Sequence, residues 1–348
     1  MTVLQRSPSH THPAEAELPR SAGRRHATRI LALGAALLGA GASLTPIPAG
    51  AQGAYPTRQI RVVVPFPPGT SPDVVARAWA EKLRGALGQP VVIDNRPGAA
   101  TIIGAQAAAS APADGYTLLY TAQNTVSINP FVYRNLPYKA DDFVPITRVA
   151  EVPLVMIVPA SSPIRSVADL IRAAKDKPGK LNFASYGIGQ GTHVAMVRFL
   201  NSVGATMVHV PYRDGGMQDV IAGNVEVSFD ASTTTIPQIQ AGKLRALAVS
   251  SARRLAALPD VPTVSELLPG FLADSWTGVL ARKGTPPEVI ARISAETLKI
   301  LAADDFRKRL TDVGLTPAGG SPADFARFID EESKVWAKVV ADNAISVE

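Results

Sequence analysis

Short apolar runs alternate with helical patterns along most of this chain. Ile60-Arg61-Val62-Val63-Val64 reads as a buried strand, and Val74, Val75, Ala78, Trp79, Leu83 and Leu87 then recur at helical spacing. Further strands are predicted at Val91–Ile93, Thr117–Tyr120, Leu154–Val158, Leu181–Ala184, Met207–Val210, Val225–Phe229 and Leu244–Val249. Helices fit between them at Val167–Lys177, His193–Val203 and Gln218–Ala222. After a strand near Trp276–Leu280 the pattern is mostly helical. Pro286-Pro287-Glu288 opens a helix to about Ala302, and Asp304–Val313 makes another. Ser321-Pro322-Ala323-Asp324 is a capping pattern for a long last helix to about Asn343. Strands interleaved with helices predict an α/β fold of mainly parallel sheets flanked by helices.

Two places read as crossings between lobes: Glu151-Val152-Pro153 and Gly270-Phe271-Leu272-Ala273-Asp274-Ser275. The chain then builds most of one lobe (52–152), builds a second (153–272), and returns to finish the first (273–348). A discontinuous pair of α/β lobes leaves a cleft at the carboxyl ends of both sheets, where ligands of this class bind.

Residues 1–51 read as a secretory signal peptide rather than part of the fold. Arg20, Arg24, Arg25 and Arg29 precede the apolar run Ile30–Leu38, and Ala49-Gly50-Ala51 supplies an A-x-A end. The run is too short, and too broken by glycine and proline, for a membrane span. Arg24-Arg25 leaves twin-arginine export open beside the general route, and the long basic segment leaves the start codon open. Removing the leader leaves 30 basic against 27 acidic residues, a net charge of +3 rather than +6. With no basic stripe along any element, nucleic acid is not an expected partner.

The chain has 46% hydrophobic residues, enough for a large core, and no cysteine. Disulfides, thiolate metal sites and a cysteine nucleophile are therefore excluded. No G-x-S-x-G, H-E-x-x-H or P-loop motif occurs. Residues 52–348 hold two histidines, His193 and His209, and no serine reads as activated. The chain reads as a non-enzyme without a cofactor or metal.

Two strand-to-helix loops carry the binding chemistry. In Pro65-Phe66-Pro67-Pro68-Gly69-Thr70-Ser71-Pro72-Asp73, backbone N–H groups and hydroxyls stand where a helix begins, a setting that favours carboxylate or phosphate. Ser71 or Asp73 is equally readable as a plain helix cap. In Ser185-Tyr186-Gly187-Ile188-Gly189-Gln190-Gly191-Thr192-His193, alternating glycines allow backbone to approach a ligand closely. The spacing is G-x-G-x-G rather than the dinucleotide pattern, so it reads as a carboxylate loop. His193 either donates to the ligand or caps its own helix. Arg96 is a weaker anion candidate, and His209, within a strand, reads as structural.

From Tyr55 to about Asp342 the chain resembles the Bug/TctC family of extracytoplasmic solute receptors. The resemblance rests on Tyr55-Pro56-Thr57-Arg58-Gln59-Ile60, Val64-Pro65-Phe66, Leu87-Gly88-Gln89-Pro90-Val91-Val92, Asn95-Arg96-Pro97-Gly98-Ala99 and Asp114-Gly115-Tyr116-Thr117-Leu118-Leu119. Ile128-Asn129-Pro130, His209-Val210-Pro211-Tyr212, Leu258-Pro259-Asp260-Val261-Pro262-Thr263 and Gly284-Thr285-Pro286 follow in order. It implies a monomeric periplasmic clamshell closing on a small organic acid for the membrane permease of a tripartite tricarboxylate transporter. It also implies ligand contacts at Phe66, Gly69, Ser71, Asp73, Ser185, Gly187, Gly189 and His193, to which the loop's own hydroxyl chemistry adds Thr70. The chain departs from the family pattern at Thr70, Pro72, Ala100-Thr101-Ile102, Gln190, Val197 and Asp214. All but Val197 lie in or beside cleft loops. An exported enzyme acting on a carboxylated substrate, or a sensor reporting to a signalling partner, stays open on the sequence alone.

Overall fold

The apolar run Ile60–Val64 forms β1, buried because paired strands flank it on both edges. This is seen in a computed structural model of the chain, which describes residues 55–348. The expected leader lies outside the described residues. From β1 the chain continues through α1 (Ser71–Leu87), β2 (Val91–Asn95), α2 (Ile102–Ala109), β3 (Thr117–Ala122), α3 (Asn129–Val132) and β4 (Phe143–Val152). Next come β5 (Leu154–Pro159), α4 (Val167–Asp176), β6 (Asn182–Ser185), α5 (Gly191–Val203), β7 (Val208–Pro211) and α6 (Met217–Ala222). They are followed by β8 (Val227–Ala231), α7 (Ser232–Gln240), β9 (Leu244–Val249) and α8 (Val264–Leu267). The last elements are β10 (Ser275–Arg282), α9 (Pro287–Ala302), α10 (Asp304–Asp312), β11 (Thr316–Gly319) and α11 (Pro322–Asp342).

Two sheets result, one per lobe: β11-β4-β10-β3-β1-β2 and β7-β6-β8-β5-β9. Both are mixed, which corrects the expectation of mainly parallel sheets. β1, β2 and β3 are parallel, as are β6, β7 and β8. β10 runs antiparallel to β3 and β4, and β5 antiparallel to β8 and β9. The reason is the crossing. β4 ends at Val152 and, one proline later, the chain enters the other sheet as β5, with Leu154 opposite Ala231 at the end of β8. A strand entering at the edge where its parallel neighbours finish must run against them. β10 re-enters the first sheet in the same way, with Thr277 opposite Ala122. Both crossings therefore lie beside the edge that the loops after β3 and β8 occupy.

Each sheet buries its own core. Trp79, Leu83, Ile60, Val62 and Ile293 pack in the first lobe, and Phe183, Phe199, Phe229 and Met156 in the second. α11 belongs to both. Ser321 caps it by accepting from the Asp324 N–H, and Phe325 stands edge-on to Trp276, with ring centroids 5.0 Å apart. Three turns later, Trp336, Val339 and Val340 pack with the second lobe's core. One helix thus ties the lobes alongside the two crossings.

Candidate functional site

Parallel strands finish at a common edge. The loops after β1, β2 and β3 therefore cluster on one lobe, and those after β6, β7 and β8 on the other. Side chains at the two edges meet. Asn124 Nδ2 donates to Gln190 Oε1 across 3.1 Å. A Cβ built on Gly189 would lie 2.5 Å from Val132, and one on Gly191 2.5 Å from the Gln123 amide. Gly189 also holds φ +73°, so this close approach requires glycine twice over. The two predicted loops accordingly belong to edges that face each other.

In the first loop, Asp73 is fully buried and turned inward. Its carboxylate accepts from Gly69 N–H (2.8 Å), Arg77 Nε (2.9 Å) and Asn95 Nδ2 (2.7 Å). Burial pushes its pKa up, yet the bonds from Arg77, Asn95 and Gly69 together hold it below the usual carboxylate value. Asn95 also donates to the Phe66 carbonyl (3.0 Å), and Thr70 Oγ1 to the Pro67 carbonyl (2.7 Å). Phe66 packs against the first core. Asp73, Gly69 and Thr70 therefore shape the loop with the groups expected to meet a ligand. The amides of Ser71 and Asp73, in the first turn of α1, take no acceptor within the described chain.

The second loop is braced in the same manner. Gly187 N–H donates to Ser185 Oγ (3.0 Å), and Gly189 N–H to His193 Nδ1 (3.1 Å). Tyr186 N–H donates to Thr192 Oγ1 (3.2 Å). The two glycine amides expected to hold a carboxylate are thus already engaged. His193, for which the sequence left two roles open, receives a loop amide. The amides of Ile188, Gly191, Thr192 and His193 take no acceptor, and the N-cap Gln190 gives the helix no side-chain bond. Among the described residues, the unengaged amides of this loop and first turn are therefore these rather than those of Gly187 and Gly189.

Ser185 Oγ lies 2.6 Å from His209 Nε2, a nucleophile–base distance that the sequence did not reveal. The rest of the geometry is structural. Ser185 is fully buried, and among the described residues no carboxylate bonds to His209 Nδ1. The His193 and His209 rings stack at 3.9 Å, with Phe183 stacked on His209 at 4.9 Å. Burial lowers the His209 pKa to about 4. Burial and the neighbouring His209 lower that of His193 to about 3. Both rings are neutral at pH 7, and His209 is a weak base.

Sequence reasoning placed the loop after β2 beside the cleft through Ala100-Thr101-Ile102 but missed the loop after β3 as part of this edge. Ala99, Ala100 and Thr101 take φ values of 44°, 54° and 76°, left-handed backbone that costs each non-glycine residue about 1–2 kcal/mol. Neighbours hold them there. Asn129 Nδ2 donates to the Ala100 carbonyl (2.8 Å), and the Thr101 hydroxyl bonds Thr125 (2.8 Å). The signal was Ala100-Thr101 standing where the resembled family favours glycine. Arg96 is exposed and paired with Asp94 (3.0 Å), and Asp214 accepts from Gly216 within its own turn. Asp230, pushed up to about 6 by burial, closes β8 beside Tyr186. Two hollows, about 270 and 460 Å³, lie elsewhere, around Arg148 with Phe328 and around Ile171 with Leu268. Among the described residues no His/Asp/Glu group is placed to hold a metal ion.

Two outcomes follow from these loops. Ala100→Gly relieves a left-handed alanine and raises stability by about 0.5–1 kcal/mol after the flexibility glycine adds to the unfolded chain, measured by denaturant melts. The histidine pair gives a pH signature. Unfolded imidazoles take up protons near pH 6.5 and the folded pair only near 3–4, so its stabilisation is present above 6.5 and fades as pH falls. Buried Asp230 and Asp274, both raised, act in the opposite direction, so the comparison must be with a variant. The stability gap between the protein and its His193→Asn/His209→Gln variant narrows by about 2–3 kcal/mol from pH 7 to pH 5.

A sequence model of the tripartite tricarboxylate transporter family receptor, TctC, matches residues 75–345. A UPF0065 protein from the tcbD–tcbE intergenic region of Pseudomonas sp. (strain P51) is 41% identical over 294 residues, covering 83% of this chain and 87% of that protein. The solved structure of R. palustris Rpa4515 with adipate is similar at TM-score 0.77 and 35% identity, over 84% of this chain and 100% of that one. MatC (Rpa3494) from Rhodopseudomonas palustris with bound malate gives TM-score 0.73 and 30% identity, over 82% and 100%. The chain, with its two mixed-sheet lobes and facing loop edges, belongs to the TctC family of tripartite tricarboxylate transporter receptors.

Proposed function

We propose that the chain captures a small organic carboxylate between its lobes in the periplasm and presents it to the membrane permease of a tripartite transporter. One observation carries this reading: unengaged first-turn amides of α1 and α5 on two edges that meet at Asn124 and Gln190. A helix N-terminus carries about half a positive charge and free donors, so two such turns favour one anion without a charged side chain. Four bonds to a carboxylate at about 1.5–3 kcal/mol each give on the order of 6–12 kcal/mol before association costs. A micromolar complex needs about 8 kcal/mol, so burial of the guest's carbon skeleton must add to the bonds. Ile188, exposed at the tip of the second loop, is suited to cover it. Closure then selects the guest-bound population for the partner. The adipate and malate held by the two similar structures support a carboxylate as the guest class. The leader at residues 1–51 supports export.

The Ser185–His209 pair gives the enzyme reading its one structural foothold, and the same experiment addresses it. Thermal shift against adipate, malate and a panel of monocarboxylates and amino acids should find a binder. At 100 times its dissociation constant it adds about 2.7 kcal/mol of stability. Full recovery of the acid unchanged is expected. Turnover that disappears in Ser185→Ala would replace the receptor reading, and no stabilisation by any acid would remove it.

A further inference from the structure

Glu332, in the middle of α11, answers no motif, yet both oxygens of its carboxylate take donors from buried side chains. Trp276 Nε1 donates to its Oε2 at 2.7 Å. In the amide orientation that its surroundings satisfy, Gln123 donates to its Oε1 at 2.9 Å and to the Asp274 carbonyl at 3.3 Å. Ser127 Oγ and Trp336 Nε1, both buried without a hydrogen-bond partner, lie near enough to the same carboxylate to oppose the rise in pKa that its burial causes. These groups come from the loop after β3, from the return crossing into β10, and from the part of α11 that joins the two cores. Gln123 is fully buried. With its nitrogen fixed on Glu332, its oxygen end faces only donors, and that end stands 2.5 Å from where a Cβ on Gly191 would be. Gly191 opens α5, the helix whose free amides form the second wall of the gap.

We propose that Glu332 is a positioning residue: by fixing the Gln123 amide, it makes a clasp between the first lobe and the N-terminal turn of α5, and so sets the lobe spacing. The clasp explains a glycine at 191. Its backbone lies outside the left-handed range that favours glycine, so alanine is allowed there by conformation and opposed only by the Gln123 amide. An unpinned glutamine end would swing aside at little cost. One bonded to Glu332 and to the Asp274 carbonyl cannot do so without breaking buried bonds. This inference goes beyond the binding reading, and its test uses no guest, so the two fail separately.

The chain has no cysteine, so Lys180→Cys and Lys308→Cys place spin labels at two exposed positions, one on each lobe, without background. Pulsed-dipolar distances are measured on the guest-free protein alongside tryptophan emission, with circular dichroism as the check of folding. Gly191→Ala is expected to lengthen the interlobe distance by ~2–5 Å, the scale of packed-element shifts. It should also shift the emission of Trp276, which flanks Glu332 in the first lobe although Gly191 lies in the second. Adding either Gln123→Ala or Glu332→Gln to Gly191→Ala should return the distance toward the starting value, because neither leaves a pinned amide against the new methyl group. Gly191→Ala with unchanged distance and emission overturns the clasp. So does an effect of Gly191→Ala that persists undiminished in the Gly191→Ala/Gln123→Ala protein. Both outcomes are readable even when Glu332→Gln does not fold.

Discussion

A helix cannot satisfy its own first-turn amides, and the arrangement of this molecule depends on where those of α1 and α5 are left. Each follows a parallel strand through a tight loop, and each loop bonds its own glycine amides internally, Gly69 to Asp73 and Gly189 to His193. The internal bonds fix the loops, and the amides just beyond them take no acceptor within the described residues. Recognition of an anion by such turns needs no buried cation. That agrees with Arg77 and Arg96 both being paired to aspartates on their own lobe.

The crossings join the two lobes beside the facing edges. Because β4 passes to β5 through Pro153, and β10 returns from the 270–274 segment, the hinge strands lie beside the loops they carry. A rotation about them would change the gap directly. α11 limits that freedom, since its two ends are buried in different cores and Glu332 lies between them. Stability of the joint and geometry of the gap are thus set by the same buried groups.

Much of the fold was legible because apolar runs and helical spacing decide it. β1 and β9 match their predicted limits, and α11 begins at its predicted cap. β4 was missed because Pro145 and the alternating polar residues break its apolar run, and β11 because Thr316-Pro317-Ala318-Gly319 has no pattern at all and pairs only at an edge. α7 hides in Ser232-Thr233-Thr234-Thr235, residues that read as turn. Sheet direction was misjudged because alternation of elements does not encode which strands cross between lobes. The two binding loops were visible as glycine- and hydroxyl-rich turns. Which of their amides stay free was not, since that depends on His193 Nδ1 and on Ser185 meeting His209 from 24 residues away. Gln123 and Glu332 carry no local signal, because their importance arises only when three distant segments pack.

The most direct test of the central claim reads the amides themselves. In a TROSY titration of deuterated, ¹⁵N-labelled protein with a bound carboxylate, the Ser71, Thr192 and His193 amide protons should move downfield together, following one dissociation constant. The Gly69, Gly187 and Gly189 amides should stay nearly fixed. Saturable shifts confined to one lobe, or movement of the three glycines in place of the helix-turn amides, would contradict an anion held between two open helix ends.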